Sequence, residues 1–217
     1  MAPPCHELLP KANELLLSAN EPPFPGHGLR QQGAILPAET AVDFVRVADS
    51  VVSFLEERGE PVAVVGAFGL FAWGLQRATL DLDFVVRSEA QEALVAHLEG
   101  LGYETLYRSP GYSNHLHRDS ALGRVDLLYV SAETARLLFA GCRPLLGLGT
   151  RKLNVPRAEH LAAMKVQAMK NDPSRQLQDL ADIGFLLRQP GVDRDEVRGY
   201  FETAGLREKW DELARAL

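Results

Sequence analysis

Apolar positions recur with a helical period over residues 38–58, where Ala41, Phe44, Val45, Ala48, Val51, Val52 and Leu55 share one face and Gly59 supplies a stop. The pattern then shortens. Residues 61–66, PVAVVG, form a continuous valine-rich run that reads as a buried strand. A short helical turn is expected over 67–73. Residues 80–86, LDLDFVV, alternate and give a second strand. A helix follows at 89–101 and ends at Gly102. Strands are expected at 103–107, 112–117 and 123–130, with turn residues between them, and a helix at 132–140.

From Pro156 onward the pattern predicts helices alone, at 158–170, 176–188, 193–203 and 206–217. Upstream, residues 6–19 read as a short helix with leucines on one face, and 20–33 as a Pro- and Gly-rich arm. Three segments result: an N-terminal helix and arm (1–35), an α/β region (36–155) and a helical C-terminal segment (156–217). The expected fold class is α/β (α+β), a small mixed sheet flanked by helices.

Composition narrows the setting. The 217 residues are 46% hydrophobic and 24% charged, which is enough apolar material for a sizeable core and far from a disordered composition. The net charge of -6 argues against a general nucleic-acid coat protein, and no DNA partner is expected, although a local basic groove remains compatible with it. Cys5 and Cys142 are the two cysteines, too few and too far apart for a disulfide framework or a zinc knuckle. Charges and prolines interrupt the leucines of the first seventeen residues. No signal sequence and no membrane partner are therefore expected, and the expected location is the cytoplasm.

The polar residues inside the strands carry the chemistry. In LDLDFVV, Leu82, Phe84 and Val86 point one way, while Asp81, Asp83 and Val85 point the other. Same-face neighbours on a strand lie about 6.6 Å apart. Two carboxylates at that spacing repel by roughly 2.5 kcal/mol at an effective dielectric of about 20. A cation resolves the repulsion. Oxygen ligands alone select a hard ion, Mg²⁺ or Mn²⁺, and leaning side chains can share two ions about 3.5–4 Å apart.

Asp126 is the same anomaly in RVDLLYV, one acid in an otherwise apolar strand. If that strand pairs beside the first, Asp126 joins the pair, ligands a second ion and helps deprotonate an attacking hydroxyl. An Asp-x-Asp by itself is more often a solvated strand face. Its surroundings shift that balance. Gly66 sits between a strand and a helical turn, where phosphate can approach backbone N–H groups, or where an ordinary turn is made. Arg77 and Thr79 precede the acidic strand; Arg77 is either a phosphate clamp or a surface cation paired with Asp81.

The run from Gly66 through Ala67, Arg77, Thr79, Asp81 and Asp83 resembles the opening motif of DNA polymerase β-like nucleotidyltransferases. It is most similar to the minimal bacterial branch that includes abortive-infection and toxin–antitoxin nucleotidyltransferases. Asp126 resembles the third carboxylate of that family. Lys165, Arg175, Asp179 and Asp182 take the places of its later helical motif, in which the lysine touches nucleotide phosphates and the acids shape the site. The resemblance spans roughly residues 60–188 and implies the nucleotidyltransferase fold. Alanine stands at 67 where serine is frequent, and Gln178 where a basic residue often precedes the Asp.

The resemblance implies an enzyme that moves an NMP from an NTP to an acceptor hydroxyl with two Mg²⁺ (or Mn²⁺) ions, releasing pyrophosphate. Asp81, Asp83 and Asp126 would be its metal ligands, and Lys165 would assist catalysis. Gly66, Ala67, Arg77, Thr79, Lys165, Arg175, Asp179 and Asp182 would line the nucleotide site. The expected acceptor is a tRNA or a protein, as in a toxin with a cognate antitoxin. The alternatives are a small antibiotic acceptor or a non-catalytic nucleotide-binding regulator.

Other residues read as structural. His115 and His117 share a strand face and fit a partly exposed hairpin better than a transition-metal site. Cys142 reads as a buried thiol and Trp73 as core. Gly147 and Gly149 lack the framing of a dinucleotide fingerprint.

Overall fold

The computed structural model describes residues 41–145 and 152–217. The N-terminal helix and arm, Cys5, Gly147 and Gly149 lie outside these residues.

The first element, α1, spans Phe44–Glu56, with Val47, Ala48, Val51, Val52 and Leu55 on its buried face. It begins later than residue 38 because Asp43 caps it, its side chain accepting from the Arg46 N–H at 3.0 Å. Strand β1 (Val62–Val64) leads into α2 (Gly66–Ala72), and β2 covers Asp81–Arg87. After a short 3₁₀ turn come α3 (Gln91–Gly100), β3 (Tyr103–Arg108), β4 (Tyr112–His117) and β5 (Arg124–Val130). Ser131 caps α4 (Ala132–Ala140).

Two strands follow that the sequence pattern does not announce, β6 (Arg143–Leu145) and β7 (Leu153–Val155). Each is three residues long and β6 contains Pro144, so neither shows a legible period. The chain closes with α5 (Ala158–Asn171), α6 (Gln176–Leu187), α7 (Arg194–Ala204) and α8 (Arg207–Ala214).

The strands form one mixed sheet in the order β3-β4-β5-β2-β1-β7-β6. The β2–β5 and β1–β7 pairs are parallel, and the other pairs are antiparallel. Leu82, Phe84, Val125 and Leu127 are fully buried on one face. Gln91 and Glu99 of α3 reach that face's neighbours, Gln91 donating to the Ser109 carbonyl and Glu99 accepting from Thr105. The apolar core is continuous with Ile183, Leu186 and Phe201 of the C-terminal helices. No helix among the described residues is long and apolar enough to cross a membrane.

Candidate active site

Strand register assembles the acids. In the parallel β2–β5 pair Asp83 lies opposite Asp126, and Asp81 lies opposite Arg124. Laterally paired residues project to the same sheet face, so alternation along two strands whose paired residues are 43 apart in sequence converges on one patch. Carboxylate oxygens of Asp81, Asp83 and Asp126 lie within 4.8 Å of one another.

Gly66 shapes the floor of this patch. Its φ is 56°, in the left-handed region, and a Cβ added there would run into the Asp83 carboxylate. The backbone of the same turn ties to the acidic strand, the Val65 N–H donating to the Asp83 carbonyl at 2.9 Å. Ala67 is buried in the first turn of α2. Thr79 donates its hydroxyl to the Asp81 carboxylate, which fixes one member of the trio.

The electrostatics are those of crowded like charges. Burial, then the charges of Asp81 and Asp126, push the Asp83 carboxyl up to about 8, while Lys165 and Arg175 pull the other way. Burial also raises Asp126, opposed chiefly by hydrogen bonding to Arg124. Oxygen-only donors, mutual repulsion and a glycine cradle that leaves room for the Asp83 carboxylate together fit a hard divalent cation.

The structure adds three residues to this face. Arg124 grips Asp126 with Nε to Oδ1 at 2.6 Å and Nη2 to Oδ2 at 2.8 Å. The Tyr112 hydroxyl donates to Asp126 Oδ2 at 2.8 Å and accepts from Arg124 Nη2 at 3.1 Å. Asn114 is the β4 register partner of Asp126, and its buried Oδ1 has no hydrogen-bond partner among the described residues. Arg124 could have been found in the sequence, since it stands two residues before Asp126 on the same strand face. Tyr112 and Asn114 could not, because they depend on the β4–β5 register.

The later motif forms a second cluster. Lys165 of α5 is buried and donates to Asp179 Oδ1 at 2.8 Å and Asp182 Oδ2 at 2.6 Å. Arg77 reaches the same Asp182 oxygen at 2.9 Å, and Arg175 approaches Asp179 Oδ2 at 3.4 Å. One alternative is corrected here: Arg77 pairs with Asp182 rather than Asp81. Lys165 and Asp182 are both buried. Gln178 faces solvent.

His115 is also corrected. It is fully buried rather than part of an exposed hairpin, with Nδ1 3.0 Å from the Thr105 hydroxyl and Nε2 2.8 Å from that of Ser113. Burial pulls its pKa down to about 4. It lies on the sheet face opposite the acids. His117, two residues on, is only half-buried and sits 3.2 Å from the Leu101 carbonyl. Cys142 is half-buried, with its thiol pushed up to about 11 by burial. Trp73 is partly buried, donates to the Pro156 carbonyl at 3.2 Å and carries the Arg143 guanidinium over its ring.

No protein-family model matches the chain, and no curated protein matches it. Solved structures do. An antigenic nucleotidyltransferase-like protein from Paracoccidioides brasiliensis is similar at 16% identity, over 81% of this chain and 93% of that one, with a TM-score of 0.50. The chain has the nucleotidyltransferase fold. The antibiotic-resistance factor ANT(2'')-Ia aligns at 17% identity over 79% of this chain and 89% of its own, with a TM-score of 0.47. The lincosamide antibiotic adenylyltransferase LnuA aligns at 15% identity over 66% and 96%, with a TM-score of 0.43.

Proposed function

We propose that this protein is a metal-dependent nucleotidyltransferase that moves an NMP from an NTP to an acceptor hydroxyl and releases pyrophosphate. The observation that carries this reading is the convergence of Asp81, Asp83 and Asp126 oxygens within 4.8 Å on the adjacent strands β2 and β5. Such a trio on a nucleotidyltransferase fold suits phosphoryl transfer, where catalysis is positioning plus charge neutralisation. Two bound Mg²⁺ or Mn²⁺ ions would neutralise the phosphates and the developing charge on the attacking and leaving oxygens.

The protein's own residues supply the rest. Asp81 and Asp83 would hold an ion from one strand, and Asp126 would contribute from the neighbouring strand and help draw the proton from the acceptor hydroxyl. Gly66 and Ala67 bring backbone close to the carboxylates, so phosphates can be held at that turn. Lys165, with Arg77 and Arg175 around Asp179 and Asp182, provides a preformed positive group near Asp83 for the leaving pyrophosphate. The acceptor we favour is a tRNA or a protein, in a toxin-like cytoplasmic role opposed by an antitoxin. Lys170 in the last turn of α5 and Arg175 just before α6 are the support for a polyanionic acceptor.

The test is incubation with each labelled NTP, Mg²⁺ and total RNA or cell lysate, followed by identification of what becomes labelled. Asp81→Ala and Asp83→Ala should each reduce labelling on the order of a thousandfold or more. Labelling at the wild-type rate in either variant, or a small molecule as the labelled product, would respectively overturn the mechanism and the acceptor.

A further inference from the structure

Asp126 carries partners that the other two acids lack. Its Oδ1 accepts from Arg124 Nε at 2.6 Å, and its Oδ2 accepts from both Arg124 Nη2 and Tyr112, each at 2.8 Å. A carboxylate offers roughly four lone-pair positions, and these bonds use all but one of them. Asp126 therefore cannot serve a divalent ion freely while Arg124 holds it. An ion bound to Asp126 would also stand within a few ångströms of the guanidinium, cation against cation.

The geometry favours a displaceable hold. Arg124 and Asp126 are two residues apart on one strand face, so the pairing is a short local clasp. The Arg124 side chain is about a quarter exposed, while Asp126 is buried. The arginine therefore has solvent to move into. Its backbone lies in register with Asp81. Once released, the guanidinium is still rooted beside the acids, where a planar fork of donors suits a phosphate.

We propose that Arg124 is an exchangeable counter-cation of the acidic trio: it clasps Asp126 until a divalent ion takes its place, and its guanidinium then passes to a phosphate of the bound nucleotide. This rests on the transferase reading above. Arg124 is thus a positioning residue in one state and a phosphate ligand in the other. Tyr112 strengthens the clasp in the first state.

The experiment is a Mn²⁺ titration followed by electron paramagnetic resonance, comparing wild-type protein with Arg124→Gln, Arg124→Lys and Tyr112→Phe. Thermal melting in the same buffers reports whether each variant is folded. Arg124→Gln should bind Mn²⁺ more tightly, on the order of tenfold, while its affinity for a non-hydrolysable NTP falls. Tyr112→Phe should tighten Mn²⁺ binding by a smaller factor. If Arg124→Gln does not fold, Arg124→Lys, which keeps the charge but loses the fork, should show the same direction.

A purely structural arginine would leave Mn²⁺ binding unchanged or weaker in these variants, and that result overturns the exchange. Wild-type protein that transfers label while its variants bind Mn²⁺ no more tightly loses only the exchange. Protein that neither binds Mn²⁺ nor transfers label loses the transferase reading as well.

Discussion

Two clusters of charge sit near each other and are built on opposite plans. On β2 and β5, three carboxylates crowd together with one arginine clasped to a single member. On α5 and α6, Lys165 bridges Asp179 and Asp182, Arg175 approaches the other Asp179 oxygen, and Arg77 shares the Asp182 oxygen. In the helical cluster every acid is met by a cation. In the strand cluster Asp81 and Asp83 have no such cation among the described residues, and burial followed by the charges of Asp81 and Asp126 raises the Asp83 carboxyl. The contrast is between acids that are already paired with cations and acids whose mutual repulsion costs stability until a cation arrives, which is the arrangement the proposed chemistry would use.

Substitutions can break this contrast or sharpen it. The largest effect is expected at Lys165. Lys165→Met leaves two buried carboxylates sharing no cation between them, which should cost about 3–5 kcal/mol by denaturant unfolding. A loss below about 1 kcal/mol would mean that the helical cluster is effectively solvated.

The reverse side of the sheet provides a neutral reference. His115 has its pKa lowered to about 4 by burial, so its folded value lies below the unfolded one. Between pH 6.5 and 4 the unfolded chain binds a proton that the folded chain refuses, and stability falls as pH falls. That one group contributes about 3 kcal/mol across this window. His115→Gln should flatten the acid limb of the stability curve by about that amount, read from unfolding at stepped pH. His160, also buried and lowered to about 4, will retain its own share.

The smallest effect carries the opposite sign. Asp83→Asn removes one of three repelling charges and should raise stability by about 1–2 kcal/mol at pH 9, where Asp83 is ionised, without divalent ions. A destabilised Asp83→Asn protein would place Asp83 with the structural acids of α6 instead.

Much of this was legible in the sequence, for identifiable reasons. Alternation in LDLDFVV and RVDLLYV separates Phe84 and Leu127 from Asp83 and Asp126 before any register is known. Gly66 is marked by position, since a glycine between a valine run and a helical turn asks for an explanation. What escaped the pattern depends on partners. In YSNHLH both faces of the strand are polar, so nothing in the period says that His115 goes inward; the Thr105 and Ser113 hydroxyls that make its burial tolerable come from the fold. Arg77 and Asp182 are 105 residues apart, and no local rule pairs them. Strands β6 and β7 are too short to show a period.

The pairing of β2 with β5 also has a temporal consequence. A parallel pair needs a long crossover, and here α3, β3 and β4 intervene before Asp126 can meet Asp83. Contacts so distant along the chain close a large loop and form slowly compared with helices and hairpins. The β3–β4 hairpin can arise early from neighbouring residues, and β5 can add to it from one side. Only when β2 joins that growing sheet do the three acids come together. During synthesis Asp81 and Asp83 therefore emerge well before Asp126, and the charged centre can form only once β2 and β5 have paired.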